Sequence, residues 1–436
     1  MHTHRRERRL PRPVGFWLLA ATLLAFLAAS SAPSPLYVVY QHQWGFSPTV
    51  LTEVFAVYVL ALLVALLSVG GLSDHVGRRP VLLAALVVEA AAMVVFLTAG
   101  GVGALFLARI LQGVATGAAA GAISAGLIDL QPSPTSALGS LLNTLASATG
   151  LAVGALGAGL LVEYGPAPTH LVFVLLTAVF VVLAALVLYL PDPVSPRPGA
   201  WASLRPRAAV PAQARRAFLV ATPCLVATWA IGGLYLALGP SLTAGVLHLS
   251  SHLVGGLVVA TLFGAAAVAS LLLRGVAPRR MMTGGSAMLA VGTGLTLLAL
   301  AGPSTALFFV GTALAGLGFG AAFLGAFRSL AALARPPERA ELFASLYVVS
   351  YLALSVPAVV AGFAVPDFGL HSTATVYGSV VVLLALLSAV SAALVRRPAV
   401  VIPAAPEAAS AGEPAAGLPT VPAATSAAAG EPGTGV

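Results

Sequence analysis

The sequence predicts an all-α integral membrane protein in which twelve transmembrane helices form two pseudo-symmetric six-helix bundles. Three observations carry this prediction: a mean hydropathy of +1.01, a charged fraction of only 8% in 436 residues, and apolar runs that recur along the whole chain. Each run is close to the roughly 20 residues that a helix needs to cross a bilayer. The runs do not alternate polar and apolar residues with period two, which favours helices over barrel strands.

The apolar runs number twelve and are separated by short polar stretches. They lie at about 14–39, 50–70, 80–99, 102–128, 137–162, 168–190, 217–246, 253–273, 281–301, 304–327, 342–365 and 373–395.

The basic residues predict how the chain is oriented. All 21 are arginine, and 20 of them lie before the first run, in every second loop, or after the last run. The positive-inside rule therefore predicts a multi-pass protein of the cell (inner or cytoplasmic) membrane with both termini in the cytoplasm. Because the positive charge, +8 in total, lies in these loops, we expect the lipid bilayer and not nucleic acid as its partner. A cleaved signal peptide at the start is the alternative, but its removal would leave an odd number of spans.

The predicted domain organisation follows from the loop lengths. The longest loop on the arginine-rich side divides the spans six and six, and the Ala/Pro/Gly-rich end of the chain is predicted to be disordered. The segments are a cytoplasmic N-terminal segment (1–13), an N-terminal six-helix bundle (14–190), a linker loop (191–216), a C-terminal six-helix bundle (217–395) and a cytoplasmic tail (396–436).

The two halves resemble each other in sequence. At an offset of 203 residues, Gly113 and Gly117 of the fourth run match Gly316 and Gly320 of the tenth. At an offset of 201, residues 77–80 face residues 278–281. Both halves begin on the same side, so the repeat is a parallel one.

Three motifs carry a family resemblance. The stretch "GGLSDHVGRR" (70–79), between runs two and three, resembles the signature loop of the major facilitator superfamily. "LARILQG" (107–113) is similar to the second motif of that family, and residues 150–159 resemble the antiporter motif of its drug exporters, with Ala155 in place of proline. The resemblance implies the major facilitator fold, in the twelve-helix drug and metabolite exporter branch. It implies proton-coupled export of a small organic molecule by alternating access.

The signature loop is the predicted conformational switch. Gly77 allows a sharp turn, and Asp74 stands four residues before Arg78, close enough to pair with it. The resemblance implies that this cluster latches the two halves in the outward-open state, with Asp74 near the N-terminus of span eleven at about 341–345. The alternative is that the arginines only fix topology. The candidate switch residues are Gly70, Asp74, Gly77, Arg78 and Asp129.

Charges at membrane depth are the candidates for proton coupling, because a charge there is costly. Glu89 and Arg109 lie at similar depths in adjacent, antiparallel spans, so the arginine can reach the carboxylate. A structural ion pair without a role in transport is the alternative. Glu53 is the third candidate, although its position near a helix start also suits helix-end stabilisation, as does that of Glu163 at another helix end.

The substrate cavity is predicted to be apolar and aromatic, because the second half has no charge at depth. We therefore expect a hydrophobic or amphipathic substrate, although packing is an alternative role for each aromatic residue. A single cysteine, Cys224, excludes an internal disulfide and a multi-thiolate metal site, and no cofactor or metal is expected. The candidate cavity residues are Gln112, Asn143, Trp229, Tyr235, Phe323 and Tyr347.

Several functions fit this pattern to different degrees. An uptake symporter and an uncoupled facilitator are the alternatives within transport, and a membrane sensor with a transporter fold is the alternative outside it. An enzyme is excluded by the lack of zinc-ligand spacing or a nucleophile–base pair. A monomer is expected, with protons and a small molecule as the transported species.

We predict the following labelling pattern from the arginine distribution. In a variant without Cys224, a cysteine introduced near Gly101 reacts with a membrane-impermeant thiol reagent added outside the cell, whereas one near Ser195 does not. The reverse pattern would contradict both the number of spans and their orientation.

Overall fold

The structure is a computed structural model that describes residues 9–394, apart from 134–137, 193, 195–197, 206–207, 250, 303 and 336–337. These described residues form helices joined by short connections, with no β-strand among them. Most of the predicted N-terminal segment and the whole predicted disordered tail lie outside the described residues.

The long and medium-length helices follow the order of the predicted spans, and we number them α1 to α12. They are α1 (Arg12–Trp44), α2 (Pro48–Val69), α3 (Arg78–Leu97), α4 (Val102–Leu130), α5 (Leu138–Tyr164), α6 (Leu171–Val187), α7 (Arg215–Gly245), α8 (His252–Leu272), α9 (Pro278–Ala301), α10 (Thr305–Ala331), α11 (Arg339–Phe368) and α12 (Leu370–Leu394). Shorter helical segments, at Ser73–Val76, Ala200–Ser203 and Ala212–Ala214, lie in the connections.

Eleven of these helices are long and apolar enough to cross a membrane, judged over the described residues. The exception is α6, which has 17 residues where the sequence predicts a span at 168–190. At 1.5 Å per residue it is about 26 Å long, slightly less than the roughly 30 Å of a bilayer core. The difference lies at its ends, where turns at residues 167–170 and 188–190 continue the chain without regular helix.

Helix packing repeats between the two halves. In the first half α4 packs on α2 and α3, α1 packs on α5, and α3 packs on α6. In the second half α10 packs on α8 and α9, α7 packs on α11, and α9 packs on α12. Each pair is therefore matched by the pair six helices later, as the internal repeat requires. Met1–Val395 falls within one compact unit, so the bundle boundaries at 14–190 and 217–395 stay a prediction.

The repeated glycines bring equivalent helices into backbone contact. A Cβ atom on Gly113 or Gly117 would meet the backbone of α2, at Tyr58 and Leu62. A Cβ atom on their partners at 316 and 320 would meet the backbone of α8 in the same way. Glycine removes the side chain that would hold such helices apart. The sequence repeat thus marks the same helix contact in both halves.

The two halves meet along two seams, α5 with α8 and α2 with α11. We call the side with the α2–α3, α6–α7, α8–α9 and α10–α11 connections the arginine-rich face, and the other side the opposite face. Near the opposite face, Gly159 of α5 lies against the start of α8, and Thr49 Oγ1 donates a hydrogen bond of 2.9 Å to the carbonyl of Gly362 in α11. The structure is therefore closed at the opposite face.

Candidate functional site

A buried polar cluster, formed by Tyr37, Glu89, Arg109 and Gln112, lies within the first half. Glu89, Arg109 and Gln112 have no exposed surface, and Arg109 is among the largest fully buried side chains of the described residues. The Arg109 guanidinium donates to Tyr37 Oη (2.7 Å), to the carbonyl of Ser30 (2.9 Å) and to Gln112 Oε1 (2.6 Å). These hydrogen bonds offset part of the high cost of burying the charge, while Nη2 has no hydrogen-bond partner among the described residues.

Two prolines in α1 explain why backbone carbonyls are available to this cluster. The helix is interrupted at Ala32, just before Pro33 and Pro35. Because Pro33 has no N–H, the carbonyl of Ala29 loses its helical donor, and Gln112 Nε2 donates to it at 3.0 Å instead. Side chains of a neighbouring helix commonly satisfy such freed carbonyls inside membrane proteins. The break in α1 and the polar residues of α4 therefore depend on each other.

Glu89 of α3 joins the cluster through Gln112. Gln112 Nε2 donates to Glu89 Oε1 at 3.2 Å, whereas Glu89 Oε2 has no hydrogen-bond partner among the described residues. The direct contact between Glu89 and Arg109 that the sequence allowed is not formed, because the Gln112 amide lies between the two charged groups. Gln112 is fully buried and its amide is used within the cluster, so its place in the substrate cavity stays a prediction.

Aromatic rings surround the guanidinium of Arg109. Its Cζ lies 5.4 Å from the ring centre of Tyr37, 5.0 Å from that of Tyr58 and 5.8 Å from that of Phe96. The faces of such rings attract a cation. The rings therefore provide electrostatic stabilisation where no carboxylate contacts the arginine directly.

The second half contains a neutral counterpart of this cluster. At the offset of 203, Arg109 corresponds to Thr312, which forms a hydrogen bond of 2.8 Å with Tyr235 of α7, much as Arg109 bonds to Tyr37 of α1. Tyr235 is only 3% exposed and borders a small enclosed space among α7, α9, α10 and α12. Helix packing encloses Tyr235 in this conformation, and its place in the substrate cavity stays a prediction.

The signature loop is organised around Arg78. The Arg78 side chain donates to Ser73 Oγ (2.7 Å), to Asp74, and through Nε to Asp129 Oδ2 (3.3 Å). Gly77 has a φ of 102°, in the region that favours glycine, and this turn starts α3. Gly70 ends α2 and packs against Gly121 of α4.

Asp192, in the linker after α6, is a functional candidate that the sequence reasoning missed. Its carboxylate accepts the backbone N–H groups of Arg78 (3.2 Å) and Arg79 (3.0 Å) and thus caps α3. The sequence signal for Asp192 was a carboxylate in an otherwise arginine-rich loop, but its partner is more than a hundred residues away.

The predicted contact of Asp74 with the start of α11 is absent among the described residues, and the Asp74 side chain is 58% exposed. Near the start of α11, the backbone N–H of Ala209 in the linker donates to the carbonyl of Glu341.

A group of aromatic side chains, which we call the aromatic wall, lies in the second half of the chain on the side toward the arginine-rich face. Trp229 of α7 contacts the rings of Phe319, Phe323 and Tyr351, with centroids 5.4 to 5.9 Å apart. Tyr347 lies 6.0 Å from Tyr351. We define the wall as Trp229, Phe319, Phe323, Tyr347 and Tyr351. Its members on α7 and α11 are half-buried, as is Phe323, so they retain surface that a ligand can contact.

The two remaining candidates lie in the first half. Asn143 of α5 is half-buried and accepts a hydrogen bond of 2.9 Å from Ser124 of α4. Glu53 is half-buried near the start of α2, but the helix cap is supplied by Ser47, whose side chain accepts from Val50 N. Across the described residues, no group of three or more His, Cys, Asp or Glu side chains is placed to hold a metal ion.

A family model described as Major Facilitator Superfamily matches residues 18–277, more than half of the chain. Curated protein sequences give no match.

Two solved structures share the fold. The human organic anion transporter MFSD10 (TETRAN) has a TM-score of 0.63 and 19% identity, over 87% of this chain and 100% of that one. A bacterial homologue of the human lysosomal transporter Spinster, in an inward-facing and unoccupied conformation, has a TM-score of 0.70 and 13% identity, over 88% of this chain and 97% of that one.

We predict that loss of a tyrosine hydroxyl group destabilises the protein more in the charged cluster than in its neutral counterpart. Tyr37→Phe leaves a buried guanidinium N–H without its acceptor and should lower the free energy of unfolding by about 1.5–3 kcal/mol. Tyr235→Phe should cost only about 0.5–1.5 kcal/mol, because Thr312 keeps its hydrogen bond to the carbonyl of Phe308. Thermal unfolding of both variants in detergent tests this order, and equal losses would contradict it.

Proposed function

Because this chain belongs to the major facilitator superfamily, it is a membrane transporter and not an enzyme, and we propose that it exports a small organic molecule in exchange for protons. The two six-helix halves would alternate access to a central cavity from either side of the cell membrane, with both termini in the cytoplasm. The observation that carries the proton coupling is the buried Glu89, placed beside Gln112 and Arg109 with one carboxylate oxygen unpartnered among the described residues.

The hydrogen bonds around Glu89 allow it to take up and release a proton without disrupting its neighbours. Gln112 donates to Oε1 of the carboxylate, and this bond is compatible with either protonation state. A proton on Oε2 would add to the oxygen that has no described partner. The ionised form is favoured when the positive charge of Arg109 lies close, and the protonated form when that charge moves away. A change in the α3–α4 contact would therefore load or unload the proton.

The aromatic wall supports the proposed substrate class. Its rings lie on α7, α10 and α11 and are half-buried or buried. Flat apolar surfaces of this kind bind aromatic and aliphatic groups, and the hydroxyl groups of Tyr347 and Tyr351 add a few polar contacts. We therefore propose a hydrophobic or amphipathic substrate that contacts Trp229, Phe323 and Tyr347.

We predict that Glu89→Gln removes the dependence of transport on a pH gradient. In proteoliposomes tested with a panel of amphipathic fluorescent compounds, the wild-type protein should accumulate at least one compound when the gradient is imposed. Glu89→Gln should show the same compound moving only to equilibrium, since its amide cannot exchange a proton, while Arg109→Ala should also lose binding. Glu53→Gln is the matched control and should retain the gradient effect. Full gradient-driven accumulation by Glu89→Gln would contradict the proposed proton site, and accumulation lost only in Glu53→Gln would move the site to Glu53.

We also predict that Asp74→Asn impairs switching between conformations and not membrane insertion. Loss of a charged hydrogen bond worth about 1.5 kcal/mol corresponds to a shift of about tenfold between two states. Transport of the same compound should fall by about that factor, with unchanged protein in the membrane. His75→Gln, in the same loop, is the control. Near-normal transport by Asp74→Asn would show that the loop only sets topology.

A further inference from the structure

Glu163 stands in the last turn of α5 but binds a helix of the other half. Its Oε2 accepts the backbone N–H of His252, the first residue of α8, at 2.8 Å. The same oxygen lies 3.4 Å from His252 Nδ1. The sequence suggested helix-end stabilisation for Glu163. The helix end that it contacts is the start of α8, whereas at the C-terminus of its own helix a carboxylate is repelled by the helix dipole. Its favourable contact is with α8.

The start of α8 needs this carboxylate. The first N–H groups of any helix have no partner within the helix, and Ser251, at the capping position of α8, makes no side-chain cap hydrogen bond. Glu163 therefore supplies, from the first half, a cap that the second half does not supply itself. A negative charge at this end of α8 also interacts favourably with the helix dipole.

The backbone contact beside Glu163 shows that the cap forms only when the halves are close together. A Cβ atom on Gly159 would lie 2.9 Å from the carbonyl oxygen of His252 and 3.2 Å from Cα of Gly256. The two helices thus touch backbone to backbone one turn from the carboxylate. Any opening of the α5–α8 seam at the opposite face would withdraw Glu163 from α8.

We propose that Glu163 is a gating residue: its carboxylate holds the opposite face closed by capping α8 and releases that helix each time the face opens. The proposal rests on alternating access as proposed above, but not on proton coupling or on the substrate.

An internal symmetry of the fold supports this role. Within each half of this family, helices one to three and four to six form inverted repeats. By that symmetry α5 corresponds to α2, and α8 corresponds to α11. Glu163 lies at the end of α5 and contacts the start of α8. It is then the inverted counterpart of Asp74, which follows α2 and whose predicted partner is the start of α11. In the structure the Glu163 contact is formed while Asp74 is bound to Arg78 and largely exposed. The two carboxylates would thus cap the other half in turn, one on each face.

The Glu163 cap shifts the equilibrium toward the conformation with a closed opposite face, but it does not prevent that face from opening. The side chains of His252 and Glu163 are 35% and 26% exposed, so water screens their interaction. A helix-terminal charge in such a position shifts an equilibrium by about twofold to fivefold. This range suits a contact that must break in every transport cycle.

The test is the reactivity of single cysteines in purified protein without Cys224. Thr52→Cys reports on the opposite face, because Thr52 is completely buried and lies against Gly362 of α11. Ser345→Cys reports on the arginine-rich face, where Ser345 of α11 is half-buried. Glu163→Gln keeps the shape of the side chain and removes its charge. Asp367→Asn, which neutralises an exposed carboxylate at the end of α11, is the matched control.

We predict that Glu163→Gln raises the rate at which Thr52→Cys reacts with a small hydrophilic maleimide by about twofold to fivefold, and lowers the rate at Ser345→Cys. Asp367→Asn should change neither rate. An unchanged rate at Thr52→Cys would overturn the proposal, and so would a rise at both positions, because that result indicates a loosened fold. Since the labelling needs neither substrate nor pH gradient, loss of proton coupling in the transport assay would leave this result unaffected.

Discussion

The buried guanidinium of Arg109 is the constraint on which the first half depends. A charge without exposed surface needs hydrogen-bond acceptors and a balanced field, and Arg109 has acceptors for Nε and Nη1 but none for Nη2 among the described residues. The carbonyl of Ser30, the hydroxyl of Tyr37 and the amide of Gln112 accept its hydrogen bonds, and three aromatic rings surround it. These partners come from different helices, so α1, α2, α3 and α4 are arranged around one side chain. The proline break in α1 is part of the same arrangement, because it frees a carbonyl for Gln112.

The second half reaches a similar packing with the opposite chemistry. At the offset of 203, Gly292 stands where the first half has Glu89, and Ala315 stands where it has Gln112. A Cβ atom on Gly292 would meet the backbone of Ala315, so α9 and α10 touch directly where the polar side chains separate α3 and α4. Hydrogen bonds that span a gap are easier to rearrange than close-packed backbones. The proposed proton exchange therefore belongs to the first half, and the proposed substrate contacts belong to the aromatic wall of the second half.

Carboxylates at helix ends have a different role from the carboxylate at membrane depth. Asp192 caps α3 next to the signature loop, and Glu163 caps α8 across the seam. Each interacts with a helix N-terminus, where N–H groups and the helix dipole favour a negative charge. Both are partly exposed to water, so these contacts are weak enough to form and break. The transporter therefore combines one costly buried cluster with several modest contacts at its two faces.

The sequence by itself determined the membrane class, the order of the helices and the internal repeat, because hydropathy, arginine placement and glycine spacing are local properties of the chain. It also located Glu89, Arg109 and the signature loop. Only the tertiary structure decided which groups meet. It placed Gln112 between the two charges, enclosed Tyr235, and brought Asp192 to Arg78 and Glu163 to His252. Apart from Gln112 and Arg109, which are neighbours on one helix, these partners are 23 to 114 residues apart, and contacts at such separation depend on how helices pack. Helix packing is set by the shape of whole surfaces and not by any motif, so no local pattern could have predicted them.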